Sequence, residues 1–296
     1  MDWTEGYIAI DWGTTNRRAY RIDVNGKCVD EVSDGRGVLT LAADDFPSVV
    51  AATRQRLGDV PMILAGMVGS NRGWRETHYI DCPADVATLA DSVLWIEPER
   101  TGIVPGVAQR RGQPDVMRGE EVQAIGAMAS GALGGAELIC HPGTHSKWIT
   151  MQEGGIVSFH TAMTGEMFAL LQSRSILADQ MEGTAVDGSV FRNAARASLA
   201  GAEPLAELFG IRARALLQQG GSQDAASLAS GLLIGADVRA ALRSRPSAKE
   251  APIALVGRDD LCALYAAALH EAGRTSLFID GSQAFLAGTA ALVEKL

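Results

Sequence analysis

The sequence predicts an α/β protein of two halves, each running β-β-β-α-β-α-β-α and facing a central cleft, with an all-helical insert in the second half. Three observations predict it. An apolar run ending Asp11-Trp12-Gly13-Thr14-Thr15-Asn16 recurs as Cys140-His141-Pro142-Gly143-Thr144-His145-Ser146, the Gly-Thr pairs lying 130 residues apart. Each copy continues into a second apolar run and then a turn, at Asn25-Gly26 in one and Gly154-Gly155 in the other. Asn-Gly between alternating apolar residues is a strong hairpin signal, so antiparallel strands should precede the β-α alternation in both halves.

Taken in order, the first half reads as strands at 7–12, 16–23 and 27–32, a helix at 44–57 and a strand at 60–65. A polar loop, a short helix near 84–90 and a strand at 93–96 follow. Gly102, Pro105 and Pro114 interrupt the next segment before a helix at 120–129, which opens on two glutamates. The second half repeats the opening with strands at 138–141, 146–151 and 156–160. Helices at 165–172, 188–200, 204–218 and 222–243 form the insert. Strand 253–256, helix 259–272, strand 276–279 and helix 282–295 complete the repeat. The boundary is placed near Gly131, giving domains 1–131 and 132–296, with the helix at 120–129 bridging them.

Composition narrows the function. The 296 residues are 47% hydrophobic and 21% charged, which is a globular chain with a sizeable core. A net charge of −9 speaks against nucleic-acid or anionic-membrane partners. The start, Met1-Asp2-Trp3-Thr4-Glu5, has neither the basic nor the apolar region of a signal peptide. The small-residue run from Ala124 to Ala136 is too short to span a bilayer, and no spanning stretch is expected. Cys28, Cys82, Cys140 and Cys262 are scattered without a C-x-x-C pair, as in a reduced cytoplasmic protein that binds no metal through sulfur. Trp12, Trp74, Trp95 and Trp148 read as core or cleft-wall residues.

The turns carry the chemistry. A strand ending in Gly-Thr-Thr or Gly-Thr-His-Ser gathers backbone N–H groups and hydroxyls at one point, a nest for phosphate oxygens. Glycine lets the backbone approach the ligand closely. The spacing is neither Gly-x4-Gly-Lys-Ser/Thr nor Gly-x-Gly-x-x-Gly. One Gly-Thr turn more often serves a hairpin than a ligand. Two in matched context favour a polyphosphate held from both sides, and so phosphoryl transfer. Gly13, Thr14, Thr15, Gly143, Thr144, His145, Ser146 and Lys147 are the candidate phosphate contacts, with His145 equally able to pack behind its turn.

The chain resembles the 2-dehydro-3-deoxygalactonokinase family, within the superfamily of sugar kinases, heat-shock-protein ATPases and actin. The likeness rests on Ile10-Asp11-Trp12-Gly13-Thr14-Thr15-Asn16, on Ala65-Gly66-Met67-Val68-Gly69-Ser70 with Gly73-Trp74, and on Asp81-Cys82-Pro83. It continues in Met117-Arg118-Gly119-Glu120-Glu121, in His141 through Trp148, and in Met163-Thr164-Gly165-Glu166. The resemblance implies two ribonuclease-H-like domains and ATP- and Mg2+-dependent phosphorylation of 2-dehydro-3-deoxy-D-galactonate to its 6-phosphate, in galactonate catabolism.

It also implies roles. Asp11 would hold magnesium, usually through water, while its counterpart His141 marks the divergence of the two copies; the plainer alternative for Asp11 is a strand-end turn residue. A kinase needs a carboxylate to accept the hydroxyl proton, and the superfamily places it where Glu120 and Glu121 stand. Which of them acts is open, with Glu121 slightly ahead, since glutamate is common in first turns for dipole reasons alone. Arg17, Arg18, Arg72, Arg75 and Arg118 are candidates for the substrate carboxylate, although Arg17 and Arg18 must point to opposite faces of their strand. Asn16, Ser70, Asn71 and Glu166 could bind hydroxyl or keto oxygens. Gly257 is the candidate adenine turn. Ser230-Gly231 through Gly235 suits either nucleotide approach or helix packing. The partner is a small sugar acid, and a homo-oligomer is left open. Two other readings remain: an exopolyphosphatase-like hydrolase, and a non-catalytic nucleotide-gated interaction protein. The loop at 70–81 weighs against the first, and the lack of an extra peptide-binding domain against the second.

Overall fold

A run of three hairpin-linked strands opens the chain in the computed structural model, which describes residues 3–219, 223–244 and 251–296. Met1 and Asp2, and Ser222 of the expected helix, lie outside the described residues. The chain divides into two units: Met1–Ala132, Met151–Phe159 and Gly281–Leu296 in one, Leu133–Thr150 and His160–Asp280 in the other.

In the first unit β1 (Tyr7–Trp12), β2 (Arg17–Ile22) and β3 (Cys28–Asp34) lead to α1 (Phe46–Leu57), β4 (Met62–Gly66), β5 (Tyr79–Asp81) and β6 (Ala84–Asp85). Then come α2 (Val86–Asp91), β7 (Leu94–Glu97), β8 (Thr101–Ile103), β9 (Gly106–Gln109), β10 (Asp115–Met117) and α3 (Glu120–Ala129). The main sheet has the order β3-β2-β1-β4-β8-β7. β1 pairs antiparallel with β2 and parallel with β4, so it is central and apolar on both faces. Ile8, Ile10 and Trp12 pack on Phe46, Val49 and Val50 of α1. The opposite face carries Tyr7 and Asp11.

Two features differ from expectation. The strand at 93–96 is β7, an antiparallel edge, whereas the parallel neighbour of β4 is the three-residue β8. Gly102 hides that strand from a propensity reading, yet it sits opposite Trp95 because a Cβ there would lie 2.5 Å from Val93 and 3.2 Å from the Trp95 ring. The segment at 79–117 also forms a separate sheet, β10-β9-β5, that the sequence did not suggest. The Asn25-Gly26 turn closes as expected, but Asp23 organises it: its Oδ1 accepts the N–H groups of Asn25 and Lys27, both at 2.9 Å.

The second hairpin, β11 (Leu138–His141), β12 (Ser146–Gln152) and β13 (Gly155–Ala162), is followed by α4 (Thr164–Arg174), α5 (Ser189–Ala200), α6 (Pro204–Glu207), α7 (Phe209–Leu216) and α8 (Gln223–Ser244). β14 (Ile253–Gly257), α9 (Asp259–Glu271), β15 (Ser276–Asp280) and α10 (Gly281–Val293) finish the chain. In the second unit β11 pairs antiparallel with β12 and parallel with β14, and β14 runs parallel to β15. The helix expected at 204–218 is broken at Leu208 into α6 and α7.

α8 has the length and mean hydropathy, 1.4 over its apolar window, of a membrane span, which the sequence reading overlooked; 61% of that window is buried in the protein. Its Gly231 and Gly235 serve α5, since a Cβ at Gly235 would lie 2.5 Å from the Ala195 carbonyl oxygen and one at Gly231 would strike that of Phe191. In the first unit α10 packs on α3 by the same device: side chains at Gly126 or Gly288 would strike the carbonyls of Ala284 and Val122.

Candidate active site

In the first unit the site grows from the end of β1. Strand alternation sends Ile10 and Trp12 into the α1 core and Asp11 to the other face, directly opposite Arg18 on β2. Burial pushes the Asp11 carboxyl from its ordinary 3.8 to about 6, against the pull of Arg18 and with the help of Glu120. Backbone meets backbone beside it. Gly66 (φ +94) approaches the Trp12 carbonyl so closely that a Cβ would lie 2.7 Å from its oxygen. Gly119 (φ +113) caps α3 with its own Cβ position 3.3 Å from Gly66 Cα. Only glycine fits either place without strain, and together they set the start of α3 against the end of β1.

The first turn is braced from behind. Gly13 N–H donates to Asn16 O at 2.9 Å, while the N–H groups of Gly37, Val38 and Leu39 each donate at 3.1 Å to the carbonyls of Thr15, Gly13 and Thr14. Thr14, Thr15 and Asn16 are exposed. The N–H groups of Thr14 and Thr15 have no backbone partner among the described residues, as an anion nest requires.

At α3 the two glutamates separate. Glu121 is completely buried and its carboxyl takes the Gly119 N–H at 2.8 and 2.7 Å. Burial first, and the Glu120 charge second, push it from 4.5 to about 8. Such a carboxyl is mostly protonated at pH 7 and reaches no solvent. Glu120 is half-buried, and its Oε2 accepts the Arg118 N–H at 3.1 Å. A group that must touch a substrate hydroxyl needs open surface, and of the two glutamates Glu120 has it and Glu121 does not.

The arginines also separate. Arg17 is 4% exposed, donates to Asp34 and Thr53 at 2.7 Å, and lies 5.3 Å over the Trp12 ring. Its guanidinium holds β2 to β3 and α1, which leaves no face for a substrate. Arg18 is exposed. Arg118 is buried over Tyr79, 4.4 Å from the ring, and grips Thr77 through its carbonyl at 3.0 Å and its hydroxyl. It ties the loop after β4 to the start of α3, and its Nε has no partner among the described residues. Within that loop Ser70 is buried and spends its hydroxyl on Met67 O at 2.7 Å. Asn71, Arg72 and Arg75 are exposed, and neither arginine has a side-chain partner among the described residues.

The second unit holds the other turn. Thr144 and His145 are exposed, and their N–H groups have no backbone partner among the described residues. Glu166 meets His145 Nε2 at 2.5 Å, so it belongs to this turn, in the second unit, whereas the Arg72 loop belongs to the first. Lys147 is 6% exposed with its amine donating to Thr161 at 2.7 Å, behind the turn as Arg17 is behind the first. Ser146 is buried against Tyr265 at 2.8 Å. Gly257 (φ +147) ends β14 with its Cβ position 3.7 Å from Pro142 O. A cavity of about 420 Å3 adjoins the turn, lined by Gly143, Thr164, Gly165, Ser230, Asp260 and Leu261 among others. Sequence reasoning missed Asp237, which lies beneath this turn; an acid set amid the apolar middle of α8 was the available signal.

No group of three or more His, Cys, Asp or Glu side chains able to hold a metal occurs among the described residues. Magnesium suits a single carboxylate all the same, because it retains most of its waters and takes phosphate oxygens. Asp11, desolvated and close to Glu120, fits that part.

A strand-end carboxylate, a helix-start glutamate and two hydroxyl turns on a duplicated hairpin-led α/β frame are those of a carbohydrate kinase with ribonuclease-H-like domains. The family model for 2-keto-3-deoxy-galactonokinase matches residues 11–292, and the chain belongs to that family. It is 36% identical to a probable 2-dehydro-3-deoxygalactonokinase of Rhizobium meliloti over 98% of this chain and 97% of that one. It is 34% identical to the 2-dehydro-3-deoxygalactonokinase of Escherichia coli over 96% of each. A crystal structure from Sinorhizobium meliloti carrying the same kinase name superposes with a TM-score of 0.89 at 34% identity, covering 98% of this chain and 96% of that one.

Proposed function

We propose that this chain transfers the γ-phosphoryl group of ATP to the terminal hydroxyl of 2-dehydro-3-deoxy-D-galactonate, giving the 6-phosphate, in the cytoplasm. The observation that carries the reading is the close backbone approach of Trp12, Gly66 and Gly119, which sets the end of β1, with Asp11, against the start of α3, with Glu120. One carboxylate would hold the metal and the other would take a hydroxyl proton.

Above pH 6 Asp11 is ionised and would hold hydrated magnesium. When bound, that ion supplies positive charge against the phosphate oxygens. Glu120 orients the acceptor hydroxyl and takes its proton as the P–O bond forms. Glu121, neutral, stays in the core. The free N–H groups of Thr14 and Thr15, and those of Thr144 and His145, are the donors to phosphate oxygens. Arg72 and Arg75 pair with the substrate carboxylate, with Arg18, Asn16 and Asn71 as further polar contacts. The cavity beside the second turn, near Gly257, takes the adenosine. Residues 1–131 thus supply the acceptor site and the first phosphate turn, and 132–296 the second phosphate turn and the adenosine cavity.

A coupled ADP assay with a panel of keto-deoxy sugar acids tests this. ADP should form only with magnesium and an acid acceptor, and fastest with the galactonate-derived one. ATP consumption at a constant rate without acceptor would favour a hydrolase and overturn the proposal.

A further inference from the structure

Beneath the second turn, side chains from three elements converge on one buried carboxylate of a fourth. Asp237 on α8 is 6% exposed. Its Oδ1 accepts Trp148 Nε1–H of β12 at 2.8 Å, and its Oδ2 accepts Thr164 Oγ1–H of α4 at 2.8 Å and Tyr265 Oη–H of α9 at 2.5 Å. Since Tyr265 donates to Asp237, its oxygen is left to accept, and Ser146 Oγ lies 2.8 Å away. Ser146 in turn accepts the Gly143 N–H at 3.5 Å. The protons are therefore ordered in one direction, from the turn backbone through Ser146 and Tyr265 to the carboxylate.

The other side of the turn depends on the same carboxylate. Thr164 begins α4, whose next residue, Gly165, has no room for a Cβ against Gly143 O, and Glu166 N–H donates to Thr144 O at 2.9 Å. Asp237 thus anchors both the strand side and the helix side of the turn. A carboxylate buried in an apolar helix is costly unless donors satisfy it, and here three do.

We infer that Asp237 is a positioning residue of the kinase reaction, acting through Tyr265, Ser146 and Thr164 to preset the second Gly-Thr turn for the nucleotide phosphates. The inference rests on the proposed role of that turn. Asparagine, with its Oδ1 kept on Trp148 Nε1–H, would present NH2 to Thr164 and Tyr265, turning both hydroxyls into acceptors and reversing the Tyr265–Ser146 bond.

The experiment compares KM for ATP, kcat and melting temperature in the full chain. Asp237→Asn and Tyr265→Phe should raise KM for ATP about tenfold to a hundredfold, as expected for losing a hydrogen bond to a charged group, with kcat at saturating ATP and KM for the sugar acid nearly unchanged. Trp148→Phe removes a donor to the same carboxylate without a link to Ser146; it should lower the melting temperature and leave KM for ATP within about twofold. An unchanged KM in Tyr265→Phe, or an equal rise in Trp148→Phe, overturns the inference. If Asp237→Asn does not fold, Tyr265→Phe decides alone. Thr144→Glu, which sets a negative charge in the exposed turn against any bound phosphate, separates the two levels. A raised KM there with none in Tyr265→Phe sinks only the positioning role, whereas an unchanged KM there sinks the phosphate role of the turn.

Discussion

Replacing Glu121 by glutamine tests the assignment of the two helix-start carboxylates. Glu121 is fully buried, and its carboxyl is raised from 4.5 to about 8 by burial and by Glu120. Between those values the folded protein holds one proton more than the unfolded chain, so stability declines as pH rises, and levels off above about 8. At about 1.4 kcal/mol per pH unit, the full window amounts to roughly 5 kcal/mol. Glutamine keeps an acceptor for the Gly119 N–H and carries no charge. Glu121→Gln should therefore be close to wild type in stability near pH 5 and more stable by several kcal/mol at pH 8 to 9. Urea denaturation from pH 5 to 9, without ligands, measures it. In the same variant turnover should persist, whereas Glu120→Gln should lose about 10²- to 10⁴-fold in kcat with KM for ATP little changed. Equal stability of wild type and Glu121→Gln across the range, or loss of turnover in Glu121→Gln alone, would refute the reasoning.

Asp11, raised to about 6, must be ionised to hold magnesium, so kcat/KM for ATP should fall as pH drops through 6. Asp11→Asn should abolish that limb and most activity, yet raise the melting temperature at pH 7, because the desolvated charge costs stability above 6; a variant less stable than wild type there would contradict the burial argument. Arg72→Ala should raise KM for the sugar acid roughly tenfold or more and spare that for ATP; unchanged steady-state constants would exclude Arg72 from the acceptor site. Gly126→Ala forces a methyl group against the Ala284 carbonyl and should destabilise the protein by about 1–3 kcal/mol, read by urea denaturation.

The paired Gly-Thr turns, the hairpins and the start of α3 were legible because each depends on local chemistry: glycine for turns, hydroxyls beside them, alternation along strands, acidic residues at a helix start. β8 was not, because Gly102 lowers its strand signal and its reason, the Trp95 ring, lies on another strand. Neither was the division of labour among like residues. Arg17 and Arg18 are adjacent and chemically identical, yet one is locked to Asp34 and the other lies exposed beside Asp11.

Charge balance, the duplication and the residue types available for phosphate and acid recognition belong to the sequence alone, since composition and spacing need no fold to be read. Which carboxylate is neutral, which arginine is free, and that Asp237 lies under a turn nearly a hundred residues earlier were decided by tertiary structure. Burial and hydrogen-bond partners come from chain segments distant in sequence, and they set protonation and orientation.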